Sequence, residues 1–170
     1  MNRIFRTVLR LALCLAAPLV PPVAGALDLP ADAIVLTISG NVTEANKGAD
    51  AVFDMKMLEK LPQKTFSTRS PWFPDAMTFT GPLLRDVLAA AGAKGKTILA
   101  LALNDYKTEI PFDDVLRQDA IIARLMNDKP MPVRAKGPLF IVYPYDSKSE
   151  LRSEIYYNRS AWQLKALTVR

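Results

Sequence analysis

Few groups in this sequence are able to do chemistry, and two of the usual ones are missing. Histidine is absent, and the single cysteine, Cys14, lies in an apolar stretch near the start. Ser/His/Asp and Cys/His catalysis need an imidazole, and zinc, copper and haem sites lean on Cys and His ligands. The residues beyond Cys14 offer none of these. Paired carboxylates still allow acid and base catalysis, yet the Asp and Glu residues are scattered and their spacing selects no pair. What stands out instead is Trp72, set in Pro71-Trp72-Phe73-Pro74, where two prolines constrain the backbone around adjacent rings. A ring face there is a stacking platform, worth about 1–3 kcal/mol by analogy with base stacking. The alternative is a loop indole folded onto the core, the commoner fate of a large aromatic. Trp162 reads as packing beneath such a site.

The elements that must position these groups follow from periodicity and turn chemistry. Ala33 to Ser39 alternates Ile34, Leu36 and Ile38 with Val35 and Thr37, a strand ended by Gly40-Asn41. Asp54 is placed to cap a short helix carrying Met55, Leu58 and Leu61, stopped by Pro62. A second helix is expected to open at Gly81-Pro82, with proline at its first position, and to stop at Gly92. Thr97 to Leu103 and Tyr106 to Ile110 form a hairpin about Asn104-Asp105. Ala120 to Met126 reads as a strand before the Asn127-Asp128 turn, although Ile121, Ile122 and Leu125 also fit one helix face. Leu139 to Tyr143 is a buried strand, and Ala161 to Val169 closes the chain as a strand that alternates from Trp162. No repeat, linker or low-complexity segment divides it. The expectation is one α+β domain dominated by mixed sheet.

The first 26 residues have a separate logic. Arg3, Arg6 and Arg10 precede an apolar run from Leu11 to Val20, and Ala24-Gly25-Ala26 follows, the order of a secretory signal with its cleavage site. The run is well short of the roughly 20 apolar residues a bilayer span requires. The expected division is a signal peptide over 1–26 and a mature domain over 27–170, exported to the periplasm. Export removes three arginines, so 22 basic residues fall to 19 against 17 acidic, and net charge falls from +5 to +2. A nucleic-acid partner, which needs a basic patch or stripe, is not expected.

Three blocks in order carry a family resemblance. The first is Thr65-Phe66-Ser67-Thr68-Arg69-Ser70-Pro71-Trp72 with Phe79-Thr80-Gly81-Pro82-Leu83-Leu84-Arg85-Asp86-Val87-Leu88. The second is Asn127-Asp128-Lys129-Pro130-Met131-Pro132 with Gly137-Pro138-Leu139-Phe140-Ile141-Val142-Tyr143-Pro144, and the third is Arg159-Ser160-Ala161-Trp162. Together they resemble the sulfite oxidase fold, the oxidoreductase molybdopterin-binding domain family, over nearly all of the mature chain. Members of that family bind a pterin, usually as molybdenum cofactor, and hold the metal through a cysteine in the first block. Here that place falls at about Thr68 to Ser70, and the family's phosphate-binding lysine corresponds to Ala161.

The resemblance therefore implies a pterin site without its thiolate. Small periplasmic relatives lacking the cysteine are pterin-binding regulators of membrane-anchored cyclic-di-GMP enzymes, and this sequence looks like one of them. The residues it implies for a pterin are Arg69 and Arg159 for the ring carbonyl or an acidic tail, Trp72 and Trp162 for the ring, and Ser160 for one hydrogen bond. Asp75 and Asp105 are candidates to accept from the amino and ring N–H groups, although turn chemistry or capping is the better reading of each, and Tyr106, Tyr143 and Tyr145 are candidate walls. The expected protein is a non-catalytic pterin sensor acting on the external domain of a membrane signalling protein. The alternative is a molybdenum cofactor-dependent periplasmic oxidoreductase.

Overall fold

The computed structural model describes residues 27–170; the signal-peptide reading of 1–26 lies outside the described residues. Strand β1 (Ile34–Gly40) runs antiparallel to β2 (Ala51–Asp54), which leads into helix α1 (Met55–Lys60). A long hairpin follows, β3 (Gln63–Ser70) and β4 (Phe73–Pro82), and then α2 (Leu84–Ala90). A second hairpin, β5 (Thr97–Ala102) and β6 (Lys107–Pro111), runs into α3 (Phe112–Arg117). Short strands β7 (Ile121–Ala123), β8 (Leu125–Met126), β9 (Lys129–Pro130) and β10 (Phe140–Val142) precede α4 (Glu154–Arg159) and the last strand, β11 (Leu164–Val169).

These strands form three sheets: β2-β1-β11-β5-β6, β3-β4-β8-β9 and the pair β10-β7. The expected α+β architecture of mixed sheets and a few short helices is what the chain adopts. β11 lies between β1, which it meets in parallel, and β5, which it meets antiparallel. Leu36, Ile38, Ile98, Ala100, Leu167 and Val169 project from this sheet into the core, where they meet Leu58, Leu84, Val87 and Leu88 of α1 and α2.

Two elements depart from their sequence pattern, each for a physical reason. Pro82 ends β4 rather than opening α2, whose N-cap is Leu83. Gly81 belongs to that strand because β4 crosses β7 there, and a Cβ would stand 2.0 Å from the Ile122 carbonyl oxygen. Only glycine fits such an approach. The alternation expected from Trp162 fails because β11 starts at Leu164, after Gln163 in a left-handed conformation (φ 53°), and its register against β5 slips between Leu164 and Ala166. That irregularity turns both Leu164 and Leu167 inward. Helices α3 and α4, six residues each, were not expected from the sequence, although Asp113 and Asp114 stand in the first turn of α3 and Ser153-Glu154 opens α4; neither helix makes a side-chain cap hydrogen bond.

Asp54 performs its expected capping and more. Its carboxylate accepts from Met57 N (2.8 Å) at the start of α1 and from Ala31 N (2.7 Å) and Asp32 N (3.0 Å) of the entering chain. These three bonds, that to Met57 foremost, hold its pKa below the ordinary carboxylate value of 3.8. A carboxyl with a lowered folded pKa contributes stability above its unfolded pKa and loses it as pH falls through the folded one. Asp54→Ala is therefore expected to melt earlier than wild type at neutral pH, with the gap narrowing below about pH 4 as the wild-type carboxylate protonates. Thermal melts from neutral to acid pH check this; a gap independent of pH would remove the carboxylate from the account.

Candidate functional site

The turn that joins β3 to β4 is only Pro71-Trp72, with Ser70 paired to Phe73 across it. Proline at 71 cannot donate a ladder hydrogen bond, and the turn carries the indole of Trp72 inward rather than into solvent. Its ring packs edge to face with Phe140 (centroids 5.5 Å), Tyr145 (6.2 Å), Tyr157 (5.8 Å) and Trp162 (5.5 Å). Trp72 and Trp162 are each only partly buried, so some ring surface stays open. The four edge-to-face contacts are the packing expected of a large aromatic, and the surface they leave open is where a stacked ring would have to lie.

A cavity of about 160 Å³ opens beside this cluster, lined by Trp72, Tyr106, Tyr157, Asn158, Ser160 and Trp162. Four of the eight residues expected at a ligand meet here, although they come from the first hairpin, the β5–β6 turn and the segment around α4. Tyr106 donates to the Asn158 carbonyl oxygen (2.8 Å), tying the β5–β6 turn to α4. Ser160 is buried; its hydroxyl donates to the Tyr156 carbonyl (2.7 Å), so the Tyr145 hydroxyl at 2.6 Å must be the donor to Ser160. Burial pushes the Tyr145 phenol well above its ordinary range. Tyr143 is also raised by burial, and its hydroxyl has no partner. Both tyrosines lie under the site rather than lining it.

The other four expected residues are held elsewhere. Arg159 pairs with Asp114 of α3 and lies over the Tyr156 ring. Arg69 is exposed on β3, with its backbone N–H given to the Asp146 carboxylate (2.8 Å). Asp75 is exposed on β4, where extra residues between Phe73 and Met77 interrupt the register. Asp105 occupies a left-handed turn position (φ 64°) and pairs with Lys165 (3.1 Å), which is turn chemistry. A residue that the sequence reading passed over is nearer the rings. Lys136 places its ammonium 3.6 Å from the Trp162 centroid and 5.4 Å from that of Trp72. Burial lowers its pKa. Its placement depends on the Val133–Ala135 3-10 turn that delivers it, for which no periodicity exists to read.

A larger depression of about 510 Å³ lies over β1 and β11, walled by Ile34, Val35, Thr37, Leu103, Pro138 and Leu164. Its one charged wall, Lys165, is already paired with Asp105, so the smaller aromatic cavity is the better candidate for recognition.

The donor set does not suit molybdenum. At the position where the resemblance places a thiolate, Thr68 is buried and accepts from Asp146 N (3.1 Å), and the Ser70 hydroxyl is buried without a hydrogen-bond partner. Among the described residues no three Asp, Glu, His or Cys side chains converge as a metal site. A hard hydroxyl oxygen is not a substitute for the soft thiolate that fixes such a metal. Ala161, at the expected phosphate position, is fully buried and offers no charge. What the residues present do suit is a flat ring against aromatic walls.

A family model described as the oxidoreductase molybdopterin binding domain matches residues 26–146. The matched span includes Ser70, Trp72, Tyr106 and Lys136 and ends before α4 and β11. No curated protein matches the chain.

The Tyr145–Ser160 bond fixes the floor of the cavity. Ser160→Ala strands the buried Tyr145 hydroxyl and is expected to cost about 1–3 kcal/mol. Adding Tyr145→Phe removes the stranded group and recovers most of that loss in urea unfolding. If the double variant is as unstable as the sum of the single ones, the bond is not the source of the effect.

Proposed function

Because the chain belongs to the oxidoreductase molybdopterin binding domain family, we propose that it binds a pterin without molybdenum and acts as a periplasmic ligand sensor rather than an oxidoreductase. The observation that carries the reading is the cavity between Trp72, Trp162, Tyr157 and Tyr106, in a chain that has hydroxyls at Thr68 and Ser70 where the family keeps its thiolate. At about 160 Å³ it is smaller than the roughly 300–1,000 Å³ of sites for drug-sized ligands. That volume favours a small planar ring over a complete metal-bearing cofactor with its phosphate. Ser160 lines the cavity beside the rings, and with its proton given to the Tyr156 carbonyl and one lone pair taken by Tyr145 it keeps one acceptor lone pair for a ligand's amino or ring N–H group.

The test combines metal content with a titration. Protein purified from molybdenum-sufficient cells is expected to carry far less than one molybdenum per chain and to bind reduced or oxidised pterin by calorimetry. Trp72→Ala should weaken that binding by about 1–3 kcal/mol, roughly five- to 150-fold. Trp72 also supports four neighbouring rings, so Trp72→Phe serves as a folded control that keeps a stacking face, with melts run on both. Near-stoichiometric molybdenum restores the oxidoreductase reading; unchanged affinity in a folded Trp72→Ala protein removes the ring from the site.

As a sensor, the protein would report occupancy to the external domain of a membrane signalling protein such as a cyclic-di-GMP enzyme. Ligand shifts such a complex only by its differential affinity for free and bound forms, typically about 1–3 kcal/mol. Mature protein recovered from the host periplasm, with an intact mass starting at Leu27, is expected to capture one membrane protein in a pterin-dependent amount. Equal capture with and without pterin would defeat the sensing role.

A further inference from the structure

An outer strand of a sheet keeps half of its backbone groups unpaired unless something covers it. Most outer strands here are covered or short. Strand β2 is buried along its whole length, β9 is two residues long and ends in Pro130, and α4 packs beside β6. The exception is β3, the eight-residue outer strand of β3-β4-β8-β9.

Which groups of β3 are free follows from the strand next to it. Thr78 and Thr80 of β4 direct their backbone toward the β8 side: Thr78 O accepts from Asn127 N (2.8 Å), Thr80 O accepts from Arg124 N (2.9 Å), and Thr78 N donates to the Asn127 side chain (3.0 Å). Their partners across the hairpin are Ser67 and Thr65. In an antiparallel ladder the N–H and C=O of one residue point the same way, so Thr65 and Ser67 point theirs away from β4. Both residues are exposed, and among the described residues no group meets that backbone. Two positions further on, Arg69 N is met by the Asp146 carboxylate (2.8 Å), which marks where the open edge ends.

A depression of about 300 Å³ lies against this strand, walled by Lys64 and Phe66 from one of its faces together with Arg117, Lys148 and Asp119. Three cations thus stand around one carboxylate. Asp119 is already shared between Lys64 and Arg85, and Lys148 donates to the Gln118 amide oxygen (2.8 Å) rather than to an acid.

We infer that β3 is the docking edge for an extended acidic segment of a partner protein, which pairs with Thr65 and Ser67 as an added strand and places an acidic side chain in the cationic depression. Main-chain hydrogen bonds supply affinity in this mode, and alternate side chains select the sequence. Charge complementarity favours the acidic segment. A second copy of this chain is disfavoured, because pairing β3 with itself brings two cationic walls together. The inference concerns where a partner is held, and it does not depend on pterin binding.

The test titrates mature protein with two peptides blocked at both ends, Thr-Glu-Thr-Glu-Thr and Thr-Gln-Thr-Gln-Thr, followed by amide NMR. In free protein the Thr65 and Ser67 amides should exchange with solvent far faster than the Phe66 amide between them, and the Glu peptide should slow both. Wild type should prefer the Glu peptide by about two- to thirtyfold, the range of two surface ion pairs, with the preference shrinking as salt rises. Ser67→Pro removes an N–H that the fold does not use, so it should melt like wild type and bind neither peptide. Thr65→Pro should behave in the same way, and Ser67→Ala should bind like wild type. Lys148→Glu should lose the preference for Glu while still binding the Gln peptide. Slow exchange at Thr65 and Ser67 in free protein would mean that the edge is already closed. Failure of wild type to bind the Glu peptide, equal affinity for the two peptides, or binding by Ser67→Pro equal to that of Ser67→Ala would also overturn the inference. Self-association of wild type that Ser67→Pro abolishes in sedimentation would assign the edge to a second copy instead.

Discussion

Insertion of the last strand between β1 and β5 is the constraint on which the remaining geometry depends. Parallel pairing with β1 joins segments more than a hundred residues apart, for example Thr37 to Ala166, so this sheet closes only once β11 is in place. Such non-local pairing pays its loop-closure entropy before its contacts form. Once made, it fixes everything just upstream. Gln163, in its left-handed conformation, donates to the Lys136 carbonyl and accepts from Leu103 N, and Leu164 N bonds to the Leu139 carbonyl. Trp162 and Ser160 are therefore held against the Phe140 strand and the β5–β6 turn, because the irregular start of β11 leaves them no freedom to follow a regular ladder.

On that frame the aromatic cluster acts as a rigid wall. Each edge-to-face pair of Trp72 contributes about 0.5–1.5 kcal/mol beyond its buried area, and pairs sharing one ring do not add. The geometric consequence matters more than the sum. Four rings from separate elements determine the orientation of one indole, so its open face is set before any ligand arrives. Preorganisation of this kind lowers the ordering cost of binding. It also explains how a two-residue turn with proline at one position persists, since the indole is anchored by packing that the turn itself could not supply.

The parts of the fold visible in sequence were those with local signatures. Asp54 ahead of an apolar stripe, the Asn104-Asp105 turn and the alternation from Ile34 to Ile38 each have a cause within a few residues, and each element is present. The length of the β3–β4 hairpin was not visible, because Pro71-Trp72 carries none of the usual hairpin-turn residues. Likewise Gly81 looked like a helix boundary, whereas its cause is a backbone contact with Ile122 forty-one positions away. At the site, residue type sufficed for Trp72, Tyr106, Ser160 and Trp162, but direction did not follow from type. Arg159 pairs with Asp114 of α3, a partner forty-five positions away that no local pattern around α4 reveals. Lys136 had no motif to single it out at all.

The cavity's construction bears on how occupancy would be felt outside it. Its walls come from the first hairpin, the β5–β6 turn and α4, and the last two are joined near the surface by the Tyr106–Asn158 bond. Tyr106 is 42% exposed, so the same ring faces the cavity and the solvent. A ligand inside changes a partner's affinity only through elements that touch both, because coupling is a difference in contacts between states. Trp72, held by four rings, is poorly placed to move; Tyr106, held by one exposed hydrogen bond, is the wall whose position a ligand can alter at least cost. A partner reading occupancy therefore has most to gain by contacting the β5–β6 turn and the adjoining end of α4, where the cavity wall is also the molecular surface.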